Sequence, residues 1–189
     1  YNGGNSKIFY PLKDMTLNHK ETIKIVTHHW SDNINKGYDI YYRLWKYAQR
    51  KHSGIEFIFI GRKFNDKYKN EVKVVGPYKG KELADELRKC HMYITASIND
   101  SCPNHVIEGL LCGLPVLYID HPGGGKDLCE LITDCKGGEK FSSFVDLINN
   151  IHMIRKHYNS YKNNIIKNIE LFENNICYNN YLEKMQQLI

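Results

Sequence analysis

The chain has 189 residues, a formal net charge of +5, 42% hydrophobic residues and 25% charged residues. That length and balance describe one soluble globular domain with a real core, and they exclude a disordered chain, a collagen and a small disulfide scaffold. No stretch approaches the roughly 18 apolar residues a membrane helix needs, and the polar start from Tyr1 to Lys20 does not read as a signal peptide.

The segment Tyr1-Asn2-Gly3-Gly4 lacks a starting Met and reads as a linker, so residues 1–20 are set apart from the domain. Lys24 to His28 is a short apolar run and predicts a strand. Lys36 to Arg50 carries Ile40, Leu44, Tyr47 and Ala48 at helical spacing. Ile55 to Ile60 and Val72 to Val75 are β-branched or aromatic runs ended by Gly61 and by Gly76-Pro77, and predict strands. Glu82 to Cys90 predicts a helix, Met92 to Ala96 a strand, Pro103 to Cys112 a helix and Leu114 to Ile119 a strand. A loop follows over His121 to Lys126, and the chain reads as helical from Ser142, with one or two last helices over Ile165 to Leu188.

Strands that alternate with helices and are almost wholly apolar imply a parallel sheet covered on both faces. The expected fold is therefore α/β, a Rossmann-like doubly wound parallel sheet over residues 21–158, with a helical C-terminal extension over 159–189. Lys and Arg are spread along the chain with no dense block, which argues against nucleic acid as a partner. The six cysteines form no C-x-x-C pair. They read as free thiols of a reducing compartment, which predicts a cytoplasmic protein. The basic balance also suits work at an anionic, cytoplasmic membrane face.

In such sheets ligands bind beyond the carboxyl ends of the strands, so chemistry is sought there. After the first strand, His28-His29-Trp30-Ser31 leads into Asn33-Ile34-Asn35-Lys36-Gly37. Lys36 beside a helix start is a diphosphate cradle or, more plainly, a solvated cation next to a turn glycine. After the second strand, Arg62 offers a fork for phosphate oxygens or is an exposed loop cation. After the fourth, Glu108 sits between Val106-Ile107 and Leu110-Leu111 in an apolar helix. A carboxylate there should either pair with a Lys or Arg or accept hydrogen bonds from a ligand, such as the vicinal hydroxyls of a ribose. Asp100 lies before that helix, where its spacing also suits an Asx-turn or helix cap. Gly123-Gly124-Gly125 after the fifth strand is a second cradle or simply a turn. His28, His29, His91, His105 and His121 read as structural, and no Asp-x-Asp pair or H-x-x-x-H helix pair suggests a metal site.

Taken together, Ala96-Ser97, Asp100, Pro103-Asn104, Val106-Ile107, Glu108, Gly113-Leu114-Pro115-Val116 and Gly123-Gly124 resemble the donor-binding core of retaining GT-B glycosyltransferases of the group 1, family 4 type. The resemblance runs over about residues 2–131, and Asn2-Gly3 with Phe9-Tyr10-Pro11 is similar to the interdomain segment of that family. It implies that Glu108 holds the ribose of a nucleoside-diphosphate sugar and that Asp100 faces the donor sugar in place of the usual Glu. It implies that Lys36, with Gly37, neutralises the departing diphosphate, with Arg62 a further phosphate candidate. Pro103, Asn104 and His105 would open the helix whose N–H groups meet sugar or phosphate. Gly76 and Tyr78 would lie at the base, and Gly123, Gly124 and Gly125 along the sugar. The sequence has no Arg shortly before Lys36, where relatives place a second phosphate cation, so by resemblance either His28 or His29 would substitute or donor binding would be weaker. By resemblance, a UDP- or GDP-linked donor is the substrate, with no cofactor and no metal. The acceptor, a glycan or lipid-linked glycan, would be held by a second domain before Tyr1. The activity implied is sugar transfer to a hydroxyl with retention, this half alone being inactive. The rival readings are a sugar-nucleotide epimerase of similar fold and a non-catalytic nucleotide-binding module.

Overall fold

The computed structural model describes residues 4–12, 16–18, 21–68, 71–100, 103–121, 123 and 126–173. Six strands run in chain order: β1 (Ile23–His29), β2 (Ile55–Gly61), β3 (Val74–Val75), β4 (Met92–Thr95), β5 (Val116–Ile119) and β6 (Gly138–Phe141). They form one sheet in the order β3-β2-β1-β4-β5-β6, and every pairing is parallel. The helices are α1 (Tyr38–Ala48), α2 (Gly80–Leu87), α3 (Asn104–Leu111), α4 (Lys126–Asp134), α5 (Phe144–Lys156) and α6 (Tyr158–Lys167).

Side chains alternate between the two faces of the sheet, as the pleat requires. Ile25, Phe57, Phe59, Met92, Ile94 and Leu117 point to one face, where Tyr41 and Leu44 of α1 and Leu147, Ile151 and Ile154 of α5 cover them. Val26, Ile60, Tyr93, Val116 and Tyr118 point to the other, under Leu83 and Leu87 of α2, Leu110 and Leu111 of α3, and Ile132 of α4. Both faces are thus dry, which is why the strands read as continuous apolar runs rather than alternating ones.

Two end segments close the second face. Phe9 from the leading segment, Ile165 of α6 and Phe172 from a short 3-10 turn join the same apolar cluster. Gly4 bridges to Glu173, its N–H donating to the Phe172 carbonyl at 2.8 Å. The guanidinium of Arg88, 5% exposed, donates to the Ile8 carbonyl at 3.0 Å, and the Lys162 ammonium donates to the Leu12 carbonyl at 2.9 Å.

Some boundaries differ from the sequence reading. The helix expected from Lys36 starts at Tyr38, because Ile34–Lys36 forms a 3-10 turn and Gly37, at φ +84°, breaks the helical path. The strand expected over Val72 to Val75 pairs only at Val74 and Val75, against Phe59 and Ile60. Strand β6 was not expected. Its Gly-Glu-Lys-Phe sequence has no apolar run, and its strand character comes from pairing with β5. The last expected helices lie outside the described residues beyond Glu173.

Candidate functional site

The strand order reverses direction between β1 and β4, and a crevice opens at such a switch point beyond the carboxyl ends of the strands. Three loops meet there. The loop after β1 docks on the loop after β4, with the Ile98 N–H donating to the Asn35 carbonyl at 2.9 Å. The loop after β5 docks on the same segment from the other side, with the Asp100 N–H donating to the Gly123 carbonyl at 2.8 Å. Both contacts need glycine. A Cβ on Gly37 would lie 2.2 Å from the Ala96 carbonyl oxygen, and one on Gly123 would lie 2.2 Å from that of Ile98.

This docking brings Lys36 and Asp100 together across 64 residues. Lys36 Nζ donates to Asp100 Oδ2 at 2.5 Å, with the side chains 23% and 16% exposed. Asp100 is therefore not a helix cap: Pro103 stands at that position of α3 and offers no side-chain bond. The second neighbour of Asp100 is His105, whose Nδ1 lies 3.8 Å from Oδ2. No acceptor for the backbone N–H groups of Asn104 and His105 is found among the described residues, as expected at a helix start.

Glu108 stands one turn further along α3, 28% exposed, with Oε2 2.8 Å from His28 Nε2. Its partner is thus a histidine rather than the Lys or Arg that sequence reasoning weighed. The buried His28 and His29 and the partly buried His105 form one group, with ring centroids of His29 and His105 4.7 Å apart and of His28 and His105 5.9 Å apart. His29 Nε2 pairs with the Tyr41 hydroxyl at 2.9 Å, and that hydroxyl accepts the Ala96 N–H at 2.9 Å. Burial first, then the neighbouring His28 and Lys36 charges, holds His29 well below the ordinary histidine range. Burial, then His29, His28 and Lys36, does the same for His105. Burial pushes the Tyr41 phenol up to about 12. The ring of His29 is thus engaged by Tyr41, and that of His28 by Glu108 and Tyr93.

The other expected residues are dispersed. Arg62 is exposed just past β2, and Gly61 before it packs its Cα against the His29 carbonyl. Gly76 has φ +89° and lies against Tyr78. Tyr78 is half-buried against the second core cluster and lines a groove of about 290 Å³ with Lys24, Lys73, Val75 and Lys89. Pro103 is buried. Gly124 and Gly125 lie outside the described residues. Two larger grooves lie elsewhere, along β5, β6, α4 and α6, and hold none of the expected residues.

The profile of the family described as glycosyl transferases group 1 matches residues 23–151. The chain belongs to that family. Solved structures agree with the assignment at the level of fold. HepE of Anabaena, determined with UDP and glucose, superposes with a TM-score of 0.70 at 16% identity, covering 100% of this chain and 56% of that one. Sucrose-phosphate synthase of Thermosynechococcus elongatus gives 0.69 at 20% identity, covering 99% and 50%. The C-terminal domain of the group 1 glycosyltransferase LpcC of Francisella tularensis gives 0.63 at 14% identity, covering 85% and 92%. No curated protein sequence matches the chain. The chain thus spans about half the length of the first two structures and most of the third, and its sheet matches the fold of GT-B C-terminal domains. No helix among its described residues is long and apolar enough to cross a membrane.

Proposed function

We propose that the chain is the donor-binding half of a glycosyltransferase, taking a nucleoside-diphosphate sugar and passing the sugar to an acceptor hydroxyl with retention. One observation carries the reading. Lys36, Asp100 and Glu108 come from two loops and a helix that follow β1 and β4 at the switch point, and Lys36 and Asp100 form a direct pair. Lys36 and the first N–H groups of α3 supply positive ends for the diphosphate. Glu108 accepts the ribose hydroxyls, and Asp100 lies where the sugar would extend beside Lys36. HepE was determined with UDP and glucose, which supports a uridine-linked donor among the candidates.

The chemistry asked of the protein is electrostatic. Charge grows on the departing diphosphate as the glycosidic bond breaks, and preorganised cations stabilise it more than the ground state. Lys36 is held in place by Asp100 rather than swinging in solvent, so little reorganisation is needed. The acceptor, a glycan or lipid-linked glycan, would be presented by a second domain facing this crevice, and the donor serves as substrate without a cofactor.

The test has two parts. A panel of UDP-, GDP- and ADP-sugars should raise the melting temperature of the chain for one base above the others. The same chain should release no sugar to an acceptor, and turnover by these 189 residues alone would overturn the division of labour. Isomerised donor without acceptor, from a chain joined to its second domain, would favour an epimerase instead.

A further inference from the structure

Glu108 ends a directed chain of hydrogen bonds. Its Oε2 lies 2.8 Å from Nε2 of His28, a side chain 1% exposed on β1. The other ring nitrogen of His28, Nδ1, lies 3.1 Å from the hydroxyl of Tyr93 on β4. The same hydroxyl accepts the backbone N–H of His28 at 3.1 Å. A phenol has one proton to give and lone pairs to accept with. The Glu108 carboxylate only accepts, so the ring is set from that end. Nε2 of His28 carries a proton and points it at the carboxylate. The opposite tautomer would set a lone pair on Nε2 against a carboxylate oxygen at 2.8 Å, which is repulsive. His28 thus donates to Glu108, and Tyr93 meets the far side of its ring.

The backbone is shaped for this chain. The residue after Glu108 is Gly109, and a Cβ there would fall 2.7 Å from the ring of Tyr93. Glycine lets α3 lie directly on that ring, which brings the turn carrying Glu108 over β1 and β4. Oε1 of Glu108 makes no hydrogen bond among the described residues.

We propose that His28 is the positioning residue for Glu108: it holds Oε2 through its Nε2–H and so presents Oε1 to the vicinal hydroxyls of the nucleotide ribose. This rests on the ribose role given to Glu108 above. A glutamate side chain has several rotatable bonds, and ordering it on binding would cost affinity. The imidazole does that ordering in advance, through a hydrogen bond made strong by the carboxylate charge. Tyr93 acts one step further back by holding the far side of the imidazole.

A structural role and a positioning role separate by ligand. Calorimetry on the chain would use UDP or GDP, whichever binds, and its 2′,3′-dideoxy counterpart. His28→Ala is expected to weaken the ribonucleotide by about tenfold, the scale of one charge-assisted hydrogen bond, and to change the dideoxy nucleotide by less than about twofold on the same reasoning. His28→Gln, which keeps an N–H donor at the end of the side chain, should recover most of the loss. In the Glu108→Ala background, His28→Ala should add nothing. Equal weakening of both nucleotides, or full additivity with Glu108→Ala, overturns the proposal. Should the alanine variant not fold, Tyr93→Phe is the second probe: a loss confined to the ribonucleotide supports the chain, and no ribose-dependent loss overturns it. The underlying reading fails separately. If Glu108→Ala binds both nucleotides as the unsubstituted chain does, the ribose role itself is wrong. If Glu108→Ala shows the ribose-dependent loss and neither His28→Ala nor Tyr93→Phe does, only the positioning role falls.

Discussion

Gly37 offers the sharpest perturbation of the site, because its effect divides into two terms that can be measured apart. In Gly37→Ala the new Cβ meets the Ala96 carbonyl oxygen at 2.2 Å, the Ala96 Cβ at 2.5 Å and its carbonyl carbon at 2.6 Å. None of these atoms belongs to a flexible side-chain end, so the loop after β1 must lift off β4. The backbone at φ +84° adds the left-handed penalty for an L-residue, about 1 kcal/mol. Overpacking against fixed atoms adds about 1–3 kcal/mol. The sum, about 2–4 kcal/mol, corresponds to a melting shift of roughly 4–16 °C for a chain of this size. Gly80 supplies the internal control. It has φ +53°, and a Cβ there would meet nothing within 4 Å, so Gly80→Ala carries the backbone term alone, roughly 2–4 °C. Scanning calorimetry on both variants isolates the packing term by difference. Equal shifts in the two would refute the close seating of this loop on β4, and with it the route by which Lys36 reaches Asp100. Nucleotide affinity should fall with Gly37→Ala and hold with Gly80→Ala.

Three further outcomes follow from the site. Glu108→Ala should weaken nucleoside-diphosphate binding by about 1.5–3 kcal/mol, the loss of hydrogen bonds to a charged group, and unchanged affinity in calorimetry would remove it from the site. Asp100→Asn takes a negative charge from beside the Lys36 ammonium, so free UDP or GDP should bind more tightly by about 1 kcal/mol; weaker binding would show that the aspartate does not compete with phosphate for the lysine. Stability should fall below about pH 6.5, where the unfolded chain protonates histidines while burial keeps folded His29 and His105 neutral. The unfolded state then holds more protons, at up to about 1.4 kcal/mol per pH unit for each histidine. Urea midpoints at pH 7.5 and 5.5 check this, His29→Gln should lose part of the slope, and a flat profile would mean that the folded rings carry charge.

The sheet was legible in the sequence because both its faces are buried. Runs such as Ile55 to Ile60 stand out whatever the topology. Strand β6 was hidden for the complementary reason: its Glu139 and Lys140 carry no apolar pattern, and its partner β5 supplies the order. Glu108 was conspicuous as a charge in an apolar helix, yet its partner was not, because β1 and β4 become neighbours only through the sheet order. A Lys or Arg was the natural guess for a carboxylate, and the residue that meets it is a histidine 80 positions earlier. The roles of Tyr93 and of Gly109 lie in the same strand crossing and leave no local signature.

The clamped end segments bear on what counts as one cooperative unit. The family match begins at residue 23 and stops at 151, yet Phe9, Tyr158, Ile165 and Phe172, all outside that span, are buried. Three of them pack against α3 and its neighbours in one cluster. A chain trimmed to the matched span would expose the back of the helix that carries Glu108. It would also leave the guanidinium of Arg88 without the Ile8 carbonyl. The stretch that recurs across the family is thus narrower than the stretch that must fold together. Losses at the two ends should surface as altered nucleotide affinity in the crevice, not as fraying at the margins.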